Sequence, residues 1–382
     1  MEEVKEELQE LYKNVAEGCI ECGLCSKDCL FLKKYGLPGE IAARGLESRE
    51  LLRESFSCSL CSLCTAVCPQ DIDPGLMFRK IRHKASGEGL GYFKEHKRLL
   101  AYERWGVSPL FSWYGLPREC DTVFFPGCAM KGSRSNRVLQ VYTHLRKSIA
   151  GLGLVLDCCT KPSHDLGRID FFHETFGSLK RGLQNHGIKK ILVSCPSCYR
   201  VWKDYGEGME VRTIYEQFAE TGVPLNTLLS GKVTVHDPCS VRNETGIHQS
   251  VRDLVAGTGL SIVRMKHDGQ RTVCCGEGGA AGCIVPEFAR NWTELRAGET
   301  GEEQIITYCA GCTNFLSRLC RADHVTDLLF EPEKTLAGSI KVTRPPITWL
   351  KRLLLKKKAP GIVKPHLAGA RDRKAQVVLK PQ

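Results

Sequence analysis

The chain has 382 residues, of which 42% are apolar, 25% are charged and 21 are cysteine. This length predicts two or three domains, and this composition excludes a wholly disordered protein. The net charge of +11 equals the charge of residues 341–382 alone, so residues 1–340 are neutral and lack the basic character that nucleic-acid binding requires.

Two further patterns predict a cytoplasmic protein. No apolar run reaches the roughly 18 residues of a membrane-spanning helix, and the acidic start MEEVKEELQE does not resemble a secretory signal peptide. A reducing cytoplasm keeps thiols free, so we expect the cysteines to bind metal or clusters rather than to form disulfides.

The chain begins with a predicted helix over residues 1–17, where apolar side chains recur at helical spacing. A cysteine-dense segment follows from Cys19 to Cys68. A helical pattern through Leu51 and Leu52 predicts a helical insertion between its two cysteine groups. Residues 86–118 are rich in aromatic side chains and read as a connector. Packing of these rings against neighbouring elements is favoured over a binding surface.

From about residue 119, short apolar runs alternate with helical stretches such as 137–148 and 250–256, which predicts open α/β units. Most of the apolar runs lead directly into a cysteine. The predicted strands are Thr122–Phe125, Leu154–Leu156, Ile191–Val193, Lys232–Val235, Thr272–Val273 and Ile305–Thr307.

The last segment, residues 336–382, is a basic tail. Its apolar stretch 347–355 precedes three lysines, Lys356–Lys358. Two interpretations stay open: a short interfacial helix that attaches the chain peripherally to the cytoplasmic face of a membrane or to a membrane subunit, or a solvated extension.

The first eight cysteines have the spacing of two-cluster bacterial ferredoxins. Three cysteines at successive i, i+3 steps wrap one cubane cluster, and the fourth reaches the other. We therefore assign cluster one to Cys19, Cys22, Cys25 and Cys68, and cluster two to Cys58, Cys61, Cys64 and Cys29. The alternative is structural zinc, which usually uses separated cysteine pairs. Iron–sulfur clusters are favoured because both runs carry the ferredoxin spacing.

Ten further cysteines form two copies of one pattern, which indicates a repeated domain. A cubane needs four thiolates, so five imply an open cluster or an iron with a displaceable ligand. Structural thiols or zinc remain the alternative. The first set is Cys128, Cys158, Cys159, Cys195 and Cys198, and the second is Cys239, Cys274, Cys275, Cys309 and Cys312.

The motifs FPGC, CC and SCPSC, followed by HDPC, CCGEGG and YCAGC, resemble the paired cysteine-rich CCG domains of heterodisulfide reductase. With the ferredoxin-like segment in front, the chain resembles the fused D-type polypeptide of that family. It is also similar to the iron–sulfur subunits of glycolate oxidase and of anaerobic glycerol-3-phosphate dehydrogenase. The resemblance implies that the ten cysteines bind one or two further [4Fe-4S] clusters, of a non-cubane type, in Rossmann-like domains. Thr160 and Ser240 depart from the motif, which has glycine and often histidine there.

We therefore expect a multidomain α+β chain. An α-helical ferredoxin-like dicluster domain (1–85) precedes the connector (86–118), two tandem Rossmann-like CCG domains (119–225 and 226–335) and the tail. The expected function is electron transfer to the CCG domains, where a disulfide is reduced. The alternative is a relay without its own substrate between a flavoprotein dehydrogenase and membrane quinone. Expected partners are such redox subunits, including a membrane cytochrome.

Several other signals are weaker. Residues 276–281 match G-x-G-x-x-A, but directly after two predicted ligands a glycine turn against a cluster is favoured over a nicotinamide site. His236 is interpreted as a proton donor or a structural hydrogen-bonding group, and no catalytic residue is assigned. Arg242 and Lys161 are candidates for attracting an anionic substrate. The remaining thiols, Cys120, Cys283 and Cys320, are predicted to be free and buried.

Overall fold

The computed structural model describes residues 2–45, 48–223, 228–301 and 303–382. Among the described residues up to 106, all regular elements are helical, as the sequence predicted for the cysteine-dense segment and its insertion. The α-helices are α1 (Glu2–Gly18), α2 (Leu30–Tyr35), α3 (Pro38–Ala43), α4 (Arg49–Glu54), α5 (Leu63–Ala66), α6 (Pro74–Gly87) and α7 (Lys97–Gly106).

This helical region has its own apolar core. The spacing of Leu8, Tyr12 and Val15 places all three on one face of α1, and all three are buried against α3 and α6. Helix α6 begins where Asp73 accepts a hydrogen bond from the Leu76 amide at 2.9 Å, with Pro74 at the first helical position. The two cysteine loops therefore lie on a packed helical scaffold.

The rest of the chain contains two sheets. The first has seven strands in the order β11-β10-β1-β3-β2-β4-β5, and the second has four in the order β7-β6-β8-β9. The strands are β1 (Trp113–Leu116), β2 (Thr122–Phe125), β3 (Gly153–Leu156), β4 (Lys190–Val193), β5 (Glu210–Thr213), β6 (Lys232–His236), β7 (Ser261–Val263), β8 (Gln304–Thr307), β9 (Ala322–His324), β10 (Leu367–Arg371) and β11 (Val377–Pro381).

Helices lie between these strands. They are α8 (Gly127–Ser133), α9 (Ser135–Leu145), α10 (Lys161–Asp165), α11 (Ile169–Gln184), α12 (Pro196–Tyr205), α13 (Ile214–Thr221), α14 (Thr245–Gly257), α15 (Pro286–Gly298), α16 (Ala310–Leu316), α17 (Val325–Phe330), α18 (Pro332–Leu336) and α19 (Ile347–Val363).

The two sheets share one internal pattern. Strands β3-β2-β4-β5 pair in parallel in the first sheet, and β7-β6-β8-β9 pair in parallel in the same order in the second. The central strands are apolar runs because helices cover them. The cysteine repeat in the sequence is therefore matched by a repeated strand order.

The first sheet extends further than the sequence predicted. Strand β1 lies inside the predicted connector and pairs antiparallel with β3 and β10. The predicted tail forms helix α19 and the antiparallel hairpin β10–β11, so it is not a solvated extension. Its sequence shows weak strand character, and the pairing depends on a partner strand more than 200 positions earlier in the chain.

One predicted strand is wrong. Thr272–Val273 is unpaired, and β7, which starts at Ser261, takes the place beside β6. Val273 is apolar for another reason: it is fully buried with Leu63 and Trp292, so it joins the second sheet's domain to the cysteine-dense segment.

Candidate metal centres

The two ferredoxin-type cysteine loops have the same backbone conformation. Glu21 and Gly23 have positive φ in the first loop, and Leu60 and Ser62 have it at the matching positions of the second. A left-handed residue other than glycine costs roughly 1–2 kcal/mol, so each loop must gain compensating interactions. Successive amides in such loops point inward and favour an anion at the centre.

The sulfur atoms of these loops line two adjacent hollows. One is lined by Cys19, Cys22, Cys25 and Cys68 together with Cys64. The other is lined by Cys58, Cys61, Cys64 and Cys29 together with Cys25. Each hollow thus contains the four cysteines that the sequence assigned to one cluster, with one sulfur of the neighbouring set at its edge.

Electrostatics within the hollows agree with this grouping. The pKa of Cys25 is raised to about 11, mainly by burial and to a smaller extent by the charges of Cys19, Cys22 and Cys68. The pKa of Cys29 is also raised, mainly by burial and then by the charges of Cys61 and Cys58. Crowded thiolates of this kind require positive charge between them, which the iron atoms of a cluster supply. Four thiolates around one hollow therefore fit a [4Fe-4S] cluster.

The first five-cysteine site lies at the carboxyl ends of β2, β3 and β4, the edge where parallel α/β sheets bind ligands. The Cys198 thiol lies 3.3 Å from the Cys159 sulfur. The Cys158 thiol donates to the Cys128 sulfur and lowers the pKa of Cys128 to about 6. Cys198 also donates to Cys195. The structure thus brings all five sulfurs together.

The second site repeats this arrangement beside β6 and β8. The Cys239 thiol donates to Cys274. The thiols of Cys274 and Cys312 donate to Cys275 and lower its pKa to about 6. Cys309 contacts Cys312. A Cβ atom added at Gly278 would lie 3.0 Å from the Cys274 Sγ and would collide with the Ser59 carbonyl, so this glycine allows the turn to approach both.

The two five-cysteine sites touch each other. Cys309 of the second site lies next to Cys195 of the first, and the two thiols shift each other's pKa in opposite directions. Glu277 lies beside this contact and packs over Gly311. Its side chain still reaches solvent, but the surrounding protein desolvates it, and with the Cys195 and Cys128 sulfurs raises its pKa to about 7. Glu277 was not among the predicted site residues, because the glycine-rich turn that contains it was interpreted only as backbone approaching a cluster.

Two buried arginines join the helical region to the α/β part of the chain. Arg82 donates to the carbonyls of Ser55 and Cys58 on one side, and to Asp165 (3.0 Å) and Gly279 (2.7 Å) on the other. Arg242 donates to the Cys61 carbonyl at 2.8 Å and to Gln270. Since its guanidinium is engaged and buried, Arg242 is not free to attract a substrate.

The other residues singled out from the sequence have varied surroundings. His236 is buried, and its nearest ring nitrogen lies within 4.8 Å of the Cys275 and Cys312 sulfurs. Neither ring nitrogen has a hydrogen-bond partner within the described ranges, so no structural hydrogen bond accounts for it. Lys161 pairs with Asp165 and also faces Cys239.

The three thiols outside the two patterns differ in exposure. Cys120 and Cys320 are half-buried. Cys283 is exposed, so the prediction that it is buried was wrong.

Two family models match the chain. The model described as a 4Fe-4S dicluster domain matches residues 15–72, and the CCG model, described as a cysteine-rich domain, matches residues 233–317. The chain therefore contains a 4Fe-4S dicluster domain and a CCG cysteine-rich domain. These two domains indicate 4Fe-4S clusters as its cofactors, which confirms the prediction from the cysteine spacing.

Relatives of this dicluster–CCG chain are redox proteins. It is 24% identical to the D-type polypeptide of dihydromethanophenazine:CoB–CoM heterodisulfide reductase from Methanosarcina barkeri, over 79% of this chain and 88% of the relative. It is 24% identical to a probable membrane-anchored ferredoxin from Chromohalobacter salexigens, over 68% of this chain and 44% of the relative. It is also 24% identical to EtfAB:quinone oxidoreductase from Syntrophomonas wolfei, over 69% of this chain and 43% of the relative.

These relatives support the predicted kinship with heterodisulfide reductase. The chain is thus an iron–sulfur electron-transfer protein related to subunits of oxidoreductases. The chain spans less than half the length of the membrane-anchored ferredoxin and of EtfAB:quinone oxidoreductase. Within the described ranges, no helix has both the length and the apolar character needed to span a bilayer.

Proposed function

We propose that this chain passes electrons from two cubane clusters to clusters in its two five-cysteine sites and there reduces a disulfide. Cluster one is assigned to Cys19, Cys22, Cys25 and Cys68, and cluster two to Cys29, Cys58, Cys61 and Cys64. Residues 119–225 and 226–335 are assigned to Rossmann-like units. Each unit contributes five cysteines, namely Cys128, Cys158, Cys159, Cys195 and Cys198, and Cys239, Cys274, Cys275, Cys309 and Cys312.

The observation that carries this proposal is the continuity of sulfur contacts. Cys61 of the second hollow packs against the buried cluster that contains Cys274 of the second five-cysteine site. Cys309 of that site contacts Cys195 of the first. Leu63, Val273 and Trp292 pack around the first of these junctions and exclude water. Electrons entering at the dicluster domain thus have a protein-filled route to both sites.

Disulfide reduction requires two electrons and two protons and yields two thiols. Iron–sulfur clusters supply electrons one at a time, and a reduced flavoprotein is the class of donor that fits. Five sulfurs at each site exceed the four that a cubane uses, which supports a cluster with an exchangeable position. A relative named as part of a heterodisulfide reductase supports the same substrate class.

Two measurements test the proposal. Anaerobically purified protein should contain about 16 iron atoms and as much acid-labile sulfide, whereas about 8 would leave both five-cysteine sites empty. Dithionite-reduced, desalted protein should convert a small asymmetric disulfide to thiols, detected by mass spectrometry. A variant carrying Cys195→Ser and Cys309→Ser should lose thiol production while keeping the dicluster signal in electron paramagnetic resonance. Full iron content without thiols would contradict disulfide reduction.

The second candidate function is a relay to membrane quinone. The outward face of α19 supports it, since Ile347 (55% exposed), Leu350 (56%) and Leu354 (40%) form an apolar stripe. Trp105 and Leu110 are exposed nearby, and lysines flank the stripe. Such a surface fits an anionic membrane interface, where each lysine contributes about 1 kcal/mol.

Vesicle binding separates this candidate from disulfide reduction. The wild-type chain should sediment with vesicles that contain anionic lipid, and a variant with Leu350→Glu and Leu354→Glu should not. Reduced protein bound to vesicles that carry a quinone should be reoxidised by it. Equal sedimentation of the wild type and the variant would contradict membrane contact through α19.

A further inference from the structure

Two buried cations lie beside the first five-cysteine site. Lys131, on α8, is 1% exposed, and its ammonium has no hydrogen-bond partner within the described part of the chain. Arg352, on α19, is 2% exposed and donates to the Cys128 carbonyl at 2.7 Å and to the Tyr102 hydroxyl. Its Nε and Nη1 groups have no partner among the described residues.

The surrounding carboxylates do not neutralise these two charges. Neither Lys131 nor Arg352 forms a salt bridge within the residues that the structure describes. Asp157 is close enough to act on Lys131, but it already pairs with Arg371 at 2.8 Å. The other groups that favour the charged form of Lys131 are the thiols of Cys128 and Cys158.

A buried cation without an anionic partner is strongly unfavourable, so a charge of opposite sign at this site would stabilise both side chains. Five thiolates with inorganic sulfide provide negative charge at this place. We infer that Lys131 and Arg352 are counter-charges that stabilise an anionic iron–sulfur cluster in the first five-cysteine site, so that α19 is part of this metal centre. They are positioning residues rather than ligands.

This inference rests on the proposed function, because it requires a cluster at the first site. Thr160 replaces the motif glycine at this site. The two buried cations support binding of an anionic cluster there despite that substitution. The two helices that carry these cations, α8 and α19, come together only when the C-terminal segment has folded onto the first sheet.

The test compares variants in full-length, anaerobically purified protein. Lys131→Met keeps the length of the side chain and breaks no hydrogen bond seen in the structure. Arg352→Lys keeps the charge, and Arg352→Gln removes it. The matched control is Lys357→Gln, which removes one charge from the exposed face of the same helix. The readouts are the rate of iron loss to a chelator and the midpoint potential of each cluster, with circular dichroism to verify folding.

In Lys131→Met and Arg352→Gln, we expect one quarter of the iron to be lost about tenfold faster than in the wild type. The potential of one cluster should fall, because a positive charge near it favours the more negative reduced form. Arg352→Lys and Lys357→Gln should behave like the wild type. Wild-type kinetics and potentials in folded Lys131→Met would overturn the inference. A wild type with only about 12 iron atoms would instead contradict the proposed occupation of both five-cysteine sites.

Discussion

The guanidinium of Arg371 and the carboxylate of Asp157 form an ion pair of 2.8 Å in which neither side chain is exposed. Tyr114 also donates to Asp157, and the other oxygen of Asp157 accepts the Cys158 amide at 2.7 Å. The C-terminal hairpin therefore helps to position the adjacent Cys158 and Cys159 through a buried charge.

Removing one partner of this pair should destabilise the protein strongly. Arg371→Gln removes the ion-pair partner of a fully buried carboxylate, so we expect a loss of about 3–5 kcal/mol in the free energy of unfolding. Arg373→Gln, in the exposed loop of the same hairpin, is the control and should change it by less than about 0.5 kcal/mol. Denaturant unfolding followed by tryptophan fluorescence measures both. Equal stability of the two variants would show that the pair contributes nothing.

Restoring the motif glycine should stabilise the first five-cysteine site. Thr160 has φ of 53°, a left-handed conformation that a β-branched residue adopts at a cost, and its buried hydroxyl has no partner among the described residues. Thr160→Gly should raise the free energy of unfolding by about 1 kcal/mol. Thr160→Ala keeps the Cβ atom, so the difference between the two variants isolates the backbone contribution. A less stable glycine variant would exclude strain at this position.

Arg82 should be needed for cooperative unfolding of the helical region and the α/β part. It donates to carbonyls from three segments, and Arg82→Gln removes most of these hydrogen bonds, which contribute about 1.5–3 kcal/mol each when charged. We expect thermal unfolding of Arg82→Gln to separate into two transitions in calorimetry. Arg79→Gln, one turn earlier on α6, should keep the single transition. The same profile for both variants would contradict a joining role for Arg82.

Glu103 should make stability depend on pH. It is buried, and although it accepts hydrogen bonds from the Ser163 amide (3.0 Å) and hydroxyl, burial raises its pKa to about 7. Because this pKa is above that of the unfolded chain, the folded state binds the proton more tightly, and the resulting stability is lost as the pH rises through 7. Between about pH 5.5 and about pH 8, the wild type should lose about 2 kcal/mol relative to Glu103→Gln.

That difference is read from urea unfolding of both proteins at each pH under anaerobic conditions. Other titrating groups contribute equally to the two proteins, so only the difference between them is interpreted. A difference that stays constant with pH would show that Glu103 titrates alike in the folded and unfolded chains.

Local patterns in the sequence predicted much of this structure. Strand β2 has the predicted bounds, because an apolar run between turns is typical of a buried parallel strand. The four-cysteine groups followed from the reach of closely spaced thiols. The repeat in the cysteine pattern anticipated the repeated strand order.

What the sequence did not predict depends on distant partners. Strand β1 and the hairpin after Leu367 pair across most of the chain, and neither has a distinct strand pattern. Val273 is apolar because it is buried against the cysteine-dense segment, and in the sequence an apolar residue at this position resembles part of a buried strand. Arg352 was interpreted as one of several charges in a basic tail. Helical spacing alone does not show that Arg352 faces inward while Ile347 and Leu350 face outward.

The antiparallel closure of the first sheet has a consequence for biogenesis. Ser112 and Arg371, which are joined by a hydrogen bond of 3.0 Å, are 259 positions apart. During synthesis, the dicluster domain and the second sheet emerge from the ribosome before the hairpin that completes the first sheet exists. The sheet that carries the first five-cysteine site is therefore expected to complete its folding after the dicluster domain and the second sheet.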